Sequence, residues 1–253
     1  MTLHLTESGT GTPLVLLHAF PVDSRMWQAV RPELSAVTRF ITPDQRGLGR
    51  SPRGDAEPSL DTAVADVLAM LDRFGLDRVV LGGCSMGGYL AMALLRVAPQ
   101  RVSRLVLIDS RANADADQQR ANRLAMAERV EAEGTRWLAD TLLPGLLGAT
   151  THARRPELIP VVRQLISAQP PAGIAWALRA MAARPDSRDL LRSVDVPALV
   201  VVGEEDQLAP VDAAEEMADL LPRAELVTLP ESGHLTALET PADLVTAIRR
   251  WLP

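Results

Sequence analysis

The chain has 253 residues, 47% of them hydrophobic, and a net charge of −6 with both signs scattered along its length. No basic face is present, which argues against nucleic acid as a partner. All 26 cationic side chains are arginine, so lysine Schiff-base chemistry and P-loop phosphate binding are excluded.

One cysteine, Cys84, rules out an intrachain disulfide, and no Cys/His cluster suggests a metal site. No cofactor is called for. The N-terminal MTLHLTESGTGTP has no basic stretch followed by an apolar one, so no signal peptide is expected. No apolar run approaches the roughly 18 residues that a membrane span needs. The expectation is a soluble cytoplasmic protein, one large α/β domain or a domain with an insertion, with oligomeric state left open.

In chain order, His4 lies on a terminal strand, and PLVLLHAF (Pro13 to Phe20) reads as a buried strand and its exit loop. Residues 25–36 read as a helix and RFITPD (39–44) as a strand. DTAVADVLAMLDRF, residues 61–74, carries apolar residues at 64, 67, 68 and 71, the stripe of a helix. RVVLGG (78–83) is a strand, SMGGYLAMALLRVAP a helix stopped by Pro99, and RLVLID (104–109) a strand. After a long interval come the strand ALVVVGEED (198–206), a helix over 211–221, the strand AELVTLP (224–230) and a last helix over 241–252. Strands alternating with helices predict a mostly parallel sheet with helices on both faces, and ligands on such sheets bind at the carboxyl ends of the strands. Residues 112–190 break the alternation. They contain no good strand but helical segments near 115–133, 135–147, 156–168 and 172–183. The predicted organisation is a core of residues 1–111 and 191–253 with a helical cap of residues 112–190 inserted between two of its strands.

Chemistry concentrates at GGCSMGG, residues 82–88. Gly83 and Gly87 stand two positions either side of Ser85, between a strand and a helix, in the G-x-S-x-G pattern of a nucleophile elbow. Such a turn strains the serine and exposes its oxygen above the sheet. The N–H of Met86, at a helix N-terminus, can stabilise an oxyanion there. Of the four histidines, His4 and His152 read as surface residues and His18 ends a strand. His234, in LPESGHLTALE after the last predicted strand, shares the sheet edge with Ser85 and suits a general base. The acid that would orient it is open among Asp206, its neighbours Glu204 and Glu205, and Asp109 after the strand RLVLID.

Taken together, LLHAFPVDSRMW, PDQRGLGRS, GCSMGGY, GEEDQLAP and SGHLTALETP resemble the α/β-hydrolase superfamily over nearly the whole chain. The resemblance implies Ser85 as nucleophile, His234 as base and Asp206, three residues beyond Gly203, as acid. It also implies an oxyanion hole from the backbone N–H groups of Phe20 and Met86, with His18 stabilising the first of these loops. Ala19 stands where that family commonly has glycine. Serine at position 85 sets the chain apart from the branches that use a carboxylate nucleophile. Among the serine branches it is similar to carboxylesterases, 3-oxoadipate enol-lactonases and cofactor-free perhydrolases.

The implied activity is hydrolysis of a carboxylic ester or lactone through an acyl-enzyme, with a small-molecule ester or lactone as partner. The alternative is a 3-oxoadipate enol-lactonase-like hydrolase or a cofactor-free perhydrolase, with a ligand receptor on the same fold ranked after them. In the cap, Trp137, Leu142 and Trp176 are the candidate pocket residues. Leu124, Val130, Trp137 and Leu138 are expected to turn inward and most arginines outward, which favours an uncharged, mainly apolar substrate. Arg111 is expected to pair with Asp109 or Asp115.

Overall fold

The computed structural model describes residues 1–252. The first part of the chain forms β1 (Leu5–Ser8), β2 (Pro13–Leu17), α1 (Arg31–Ser35), β3 (Arg39–Pro43), α2 (Leu60–Arg73), β4 (Val79–Cys84), α3 (Met86–Val97) and β5 (Val102–Ile108). Then come α4 (Asp117–Glu133), α5 (Leu138–Leu146), α6 (Ala149–Arg154), α7 (Leu158–Ser167), α8 (Pro171–Ala182) and α9 (Arg188–Arg192), with no strand among them. The chain ends with β6 (Ala198–Gly203), α10 (Val211–Leu220), β7 (Ala224–Leu229), α11 (Thr236–Glu239) and α12 (Pro241–Trp251).

The seven strands form one sheet in the order β1-β3-β2-β4-β5-β6-β7, parallel except where β1 pairs antiparallel with β3. β4 and β6 are buried at every position and β2 at all but its first. Strands covered on both faces read as unbroken apolar runs, which is why VVLGGC and ALVVVG stand out in the sequence. β7, at the sheet edge, has only its last residue buried. α3 packs on β2, β4 and β5 beside α2, whereas α12 packs on β6 and β7 beside α1. The two faces of the sheet are thus both covered.

Two expectations need correction. The predicted helix over 25–36 is two short pieces, a 3₁₀ turn at Ser24–Trp27 and α1, because Pro32 at the start of α1 lacks the N–H that would continue a helix through it. The interval between β5 and β6 holds six helices rather than four. α6 and α9 are too short, at 6 and 5 residues, to show a helical period in sequence. In that interval α4 packs against α8, and α5 against α7.

Candidate active site

The turn from β4 into α3 sets the site. Ser85 has φ 53° and ψ −111°, a region that costs a non-glycine residue on the order of 1–3 kcal/mol. Neighbouring bonds hold it there: its N–H donates to Ile108 O (2.9 Å), and its carbonyl accepts from Tyr89 N and Ser110 Oγ (both 3.1 Å). A Cβ on Gly83 would lie 2.2 Å from the Gly87 carbonyl carbon, and one on Gly87 2.2 Å from Leu17 O, so both positions exclude any larger residue. Met86 is the first residue of α3, and its N–H falls in the turn that has no intrahelical acceptor.

His234 and Asp206 arrive from loops at the same end of the sheet. His234 Nδ1 lies 2.7 Å from Asp206 Oδ2. The other carboxylate oxygen, Oδ1, accepts from Leu208 N (2.8 Å) and Ala209 N (3.0 Å). The carboxylate fixes Nδ1 as the protonated nitrogen and leaves Nε2 as the basic one. Burial alone would lower the His234 pKa. The charge and hydrogen bond of Asp206, helped by Asp109 and Glu239, outweigh it and hold the imidazole above its ordinary 6.5.

The rival carboxylates are engaged elsewhere. Asp109 accepts from Gly203 N (3.0 Å), Thr236 N (3.2 Å) and Thr236 Oγ1 (2.8 Å), tying the end of β5 to β6 and to the histidine loop. Burial and the nearby Asp206 push its carboxyl well above the usual range, against the opposing pull of His234 and Thr236. Burial, then the Asp109 charge, likewise raises the thiol of Cys84. Glu205 accepts from Thr150 N (2.8 Å) and Thr150 Oγ1 (2.5 Å), and so faces α6; Glu204 is exposed.

His18 is buried beneath the loop that carries Phe20. Its Nε2 accepts from Gln45 N (2.9 Å), so Nδ1 carries the proton and donates to Ala19 O (2.9 Å). Burial lowers its pKa, which keeps it neutral in that role. Gln45 Nε2 donates to His18 O (2.6 Å) and closes the network. His4 pairs with Asp44 at 3.1 Å, away from the site. His152, expected at the surface, has its Nε2 buried without a partner.

Ser85, His234 and Phe20 line one cavity of about 420 Å³. Among the predicted cap residues Leu142 lines it, together with Met126, Leu146, Leu178 and Met181. Trp137 and Trp176 do not. The Trp176 indole N–H donates to Ala56 O (2.9 Å) and its ring lies under Arg46 (5.5 Å to the centroid), so this side chain fastens α8 to the core. Trp137 is half-buried beneath Arg129 (3.9 Å to the centroid). The inward set is also corrected: Val130 and Leu138 are buried, but Leu124 is exposed. Arg111 pairs with Asp115 (3.3 Å), as expected, and also lines the cavity; Arg123, expected to face outward, lines it too, beside Gln119, Asn122 and Gln207. Sequence periodicity missed Gln119, Asn122 and Arg123 because α4 is polar on most of its surface, with only Ala127 and Val130 buried, and Arg111 and Gln207 lie in loops that have no period. Among the described residues no group of His, Cys, Asp or Glu is placed to hold a metal, and no helix is long and apolar enough to cross a membrane.

Comparison with known proteins places this geometry in context. Residues 12–241 match the family model described as alpha/beta hydrolase fold. The fold superposes with a TM-score of 0.96 on a thermophilic esterase from Thermogutta terrifontis solved with malate bound, at 40% identity over 98% of this chain and 92% of that one. It superposes at 0.90 on the enol-lactonase from Burkholderia xenovorans LB400, at 26% identity over 98% and 95%. A curated relative, the dihydrolipoyllysine-residue acetyltransferase component of the acetoin cleaving system of Pseudomonas putida, is 33% identical over 90% of this chain; the chain spans 60% of that protein's length.

Proposed function

We propose that this chain, which belongs to the alpha/beta hydrolase family, is a serine hydrolase that cleaves a carboxylic ester or lactone. The observation that carries the proposal is the 2.7 Å contact of His234 Nδ1 with Asp206, in a cavity lined by both His234 and the strained Ser85. Likeness to an esterase and an enol-lactonase supports the same chemistry.

In this mechanism His234 Nε2 takes the Ser85 hydroxyl proton as Oγ attacks the acyl carbonyl. The carbonyl oxygen becomes an oxyanion and meets the N–H groups of Phe20 and Met86. The C–O bond to the alcohol then breaks, and His234 returns the proton to the departing oxygen. Water, deprotonated by His234, attacks the acyl-enzyme and frees the acid and Ser85. A lactone follows the same steps with the leaving oxygen still tethered. Asp206 holds the tautomer and stabilises the imidazolium that forms twice per cycle. The helices of residues 112–190 act as a cap that shapes the pocket, with Leu142 on its wall.

A fluorophosphonate tests the assignment. It should label Ser85 at one equivalent, and Ser85→Ala should lose both the label and the turnover of short p-nitrophenyl esters. Labelling of a different serine, with the alanine variant fully active, would overturn it. Labelling without turnover of any ester or lactone would favour a receptor on the same fold.

A further inference from the structure

We infer that Arg111, with Arg123 beside it, forms a carboxylate-binding subsite in the cavity that holds Ser85, so that the substrate is an ester or lactone carrying a second, free carboxylate. This rests on the serine-hydrolase proposal above and deepens it to a substrate class.

The starting point is an imbalance of charge. Asp115 is surrounded by three guanidinium groups, those of Arg123 (2.6 Å, to Oδ2), Arg184 (2.7 Å, to Oδ1) and Arg111 (3.3 Å, to Oδ1). One carboxylate therefore faces three permanent cations. Burial would raise the Asp115 pKa, but Arg123 and Arg184 outweigh it and hold the carboxyl below its ordinary value, so its negative charge is already committed. The two close contacts belong to Arg123 and Arg184, one to each oxygen.

Arg184 is closed off. Its side chain is 3% exposed, stacked over the Tyr89 ring at 4.1 Å and donating to Asn113 O at 2.8 Å. Arg111 is left with the longest of the three contacts, and its Nε is buried with no hydrogen-bond partner. Both Arg111 and Arg123 keep some exposure and line the cavity, whose wall holds no carboxylate: its other polar residues are Ser85, Tyr89, His234, Gln119, Asn122 and Gln207. A largely buried guanidinium that shares one carboxylate with two other arginines and keeps an unpartnered Nε donor is costly, and a carboxylate is the planar anion that matches its fork of N–H groups. Arginine stays charged across the working range of a histidine base, so the subsite does not switch off with pH. A neutral ester would leave the excess positive charge uncompensated.

The test compares methyl half-esters of the dicarboxylic acids from succinate to adipate with neutral methyl esters of the same chain length. In the wild-type protein at least one half-ester should exceed its neutral partner in kcat/KM by about tenfold or more, the value of a hydrogen bond to a charged group. The advantage should act mainly through KM and shrink in about 0.5 M salt. Arg111→Gln should bring the ratio close to one. Binding gives a second readout: the matching free dicarboxylate should protect Ser85 from fluorophosphonate labelling, and the neutral diamide should not. The wild-type comparison and the protection assay need no variant, so a misfolded Arg111→Gln leaves the question decidable. If the neutral esters match or exceed the half-esters throughout the series, or if the preference survives unchanged in Arg111→Gln, the subsite is refuted. Failure of any reagent to label Ser85 would instead refute the underlying serine-hydrolase proposal.

Discussion

The sheet edge beneath the cavity and the helices above it hold their charged groups by different means. At the edge, Asp206 and Asp109 are gripped largely by backbone: Leu208 and Ala209 N–H on the first, Gly203 and Thr236 N–H on the second. Above it, Asp115 is gripped by three arginine side chains reaching from residues 111, 123 and 184. Backbone donors are fixed by the strands and turns that carry them, so the carboxylates at the edge have one position each. Long side chains keep rotamer freedom, so the cluster above can exchange one partner for another. A fixed edge suits groups that must meet a reacting atom, and an adaptable cluster suits recognition. The seam between the regions is of the fixed kind. Glu239 Oε2 accepts from Gly148 N (2.8 Å) and Thr151 Oγ1 (2.7 Å), while its Oε1 accepts from Leu235 N (3.1 Å) in the histidine loop.

The contrast is broken most severely at the edge itself. Asp206→Asn should lower kcat by about 10⁴, as expected when the acid that sets a histidine tautomer is amidated. Asp109→Asn and Glu205→Gln should each lower kcat by less than about tenfold, since neither contacts the imidazole. Steady-state kinetics on one ester with the three variants decides it; a larger loss at Asp109 than at Asp206 would move the acid to β5.

Next in size is the seam. Glu239→Ala removes the acceptor of three donors, two of them buried backbone N–H groups, and should cost about 1–3 kcal/mol for each donor left unsatisfied. Denaturant unfolding measures it, and an unchanged midpoint would mean that Glu239 does not hold the helices to the core, leaving that to packing and to bonds such as Trp176 to Ala56 and Thr150 to Glu205.

A pH series sharpens the edge further. His234 has its pKa raised in the folded protein, so the folded state binds the proton more tightly than the unfolded one. Its contribution to stability is full below about pH 6.5 and is lost as pH rises through the folded pKa. Under the proposed mechanism activity moves the opposite way, because there the neutral imidazole acts as base, and should rise with a midpoint above 6.5. Asp206→Asn should lower that midpoint. Melting temperature and kcat/KM measured from pH 5 to 9 in one set of buffers should therefore run in opposite directions through this window.

The smallest effect belongs to the upper region. Trp176→Phe removes one indole hydrogen bond and should cost about 1 kcal/mol of stability without changing the order of substrate preference, because the ring lies outside the cavity. Leu142→Ala, on the cavity wall, should change KM between short and long acyl chains. A change of preference at Trp176 and none at Leu142 would reverse the assignment of the wall.

Much of the lower region was legible in the sequence. β2, β4, β5 and β6 announce themselves as short apolar runs, because both faces of the sheet are covered there. The elbow is legible because close approach at residues 83 and 87 admits only glycine. The histidine loop follows from its place after the last strand. The upper region was poorly legible. Its long helices were visible, but α6 and α9 are shorter than any period that could reveal them, and the faint apolar stripe of α4 does not say which face meets the cavity.

The sequence by itself determined the order of the core strands and of the longer helices, the elbow at Ser85 and the loops that carry Asp206 and His234, because each depends on local turn chemistry or on a short run of one periodicity. Residue patterns alone left several carboxylates open for His234; the family resemblance pointed to Asp206, and the tertiary structure brings that one to its Nδ1. It also turned Trp176 to the core loop at Ala56 rather than to the cavity, and brought Arg111, Arg123 and Arg184 around one aspartate. These are contacts between segments many residues apart. Their geometry is set by how helices pack over the sheet, and no local pattern of hydrophobicity or charge encodes it.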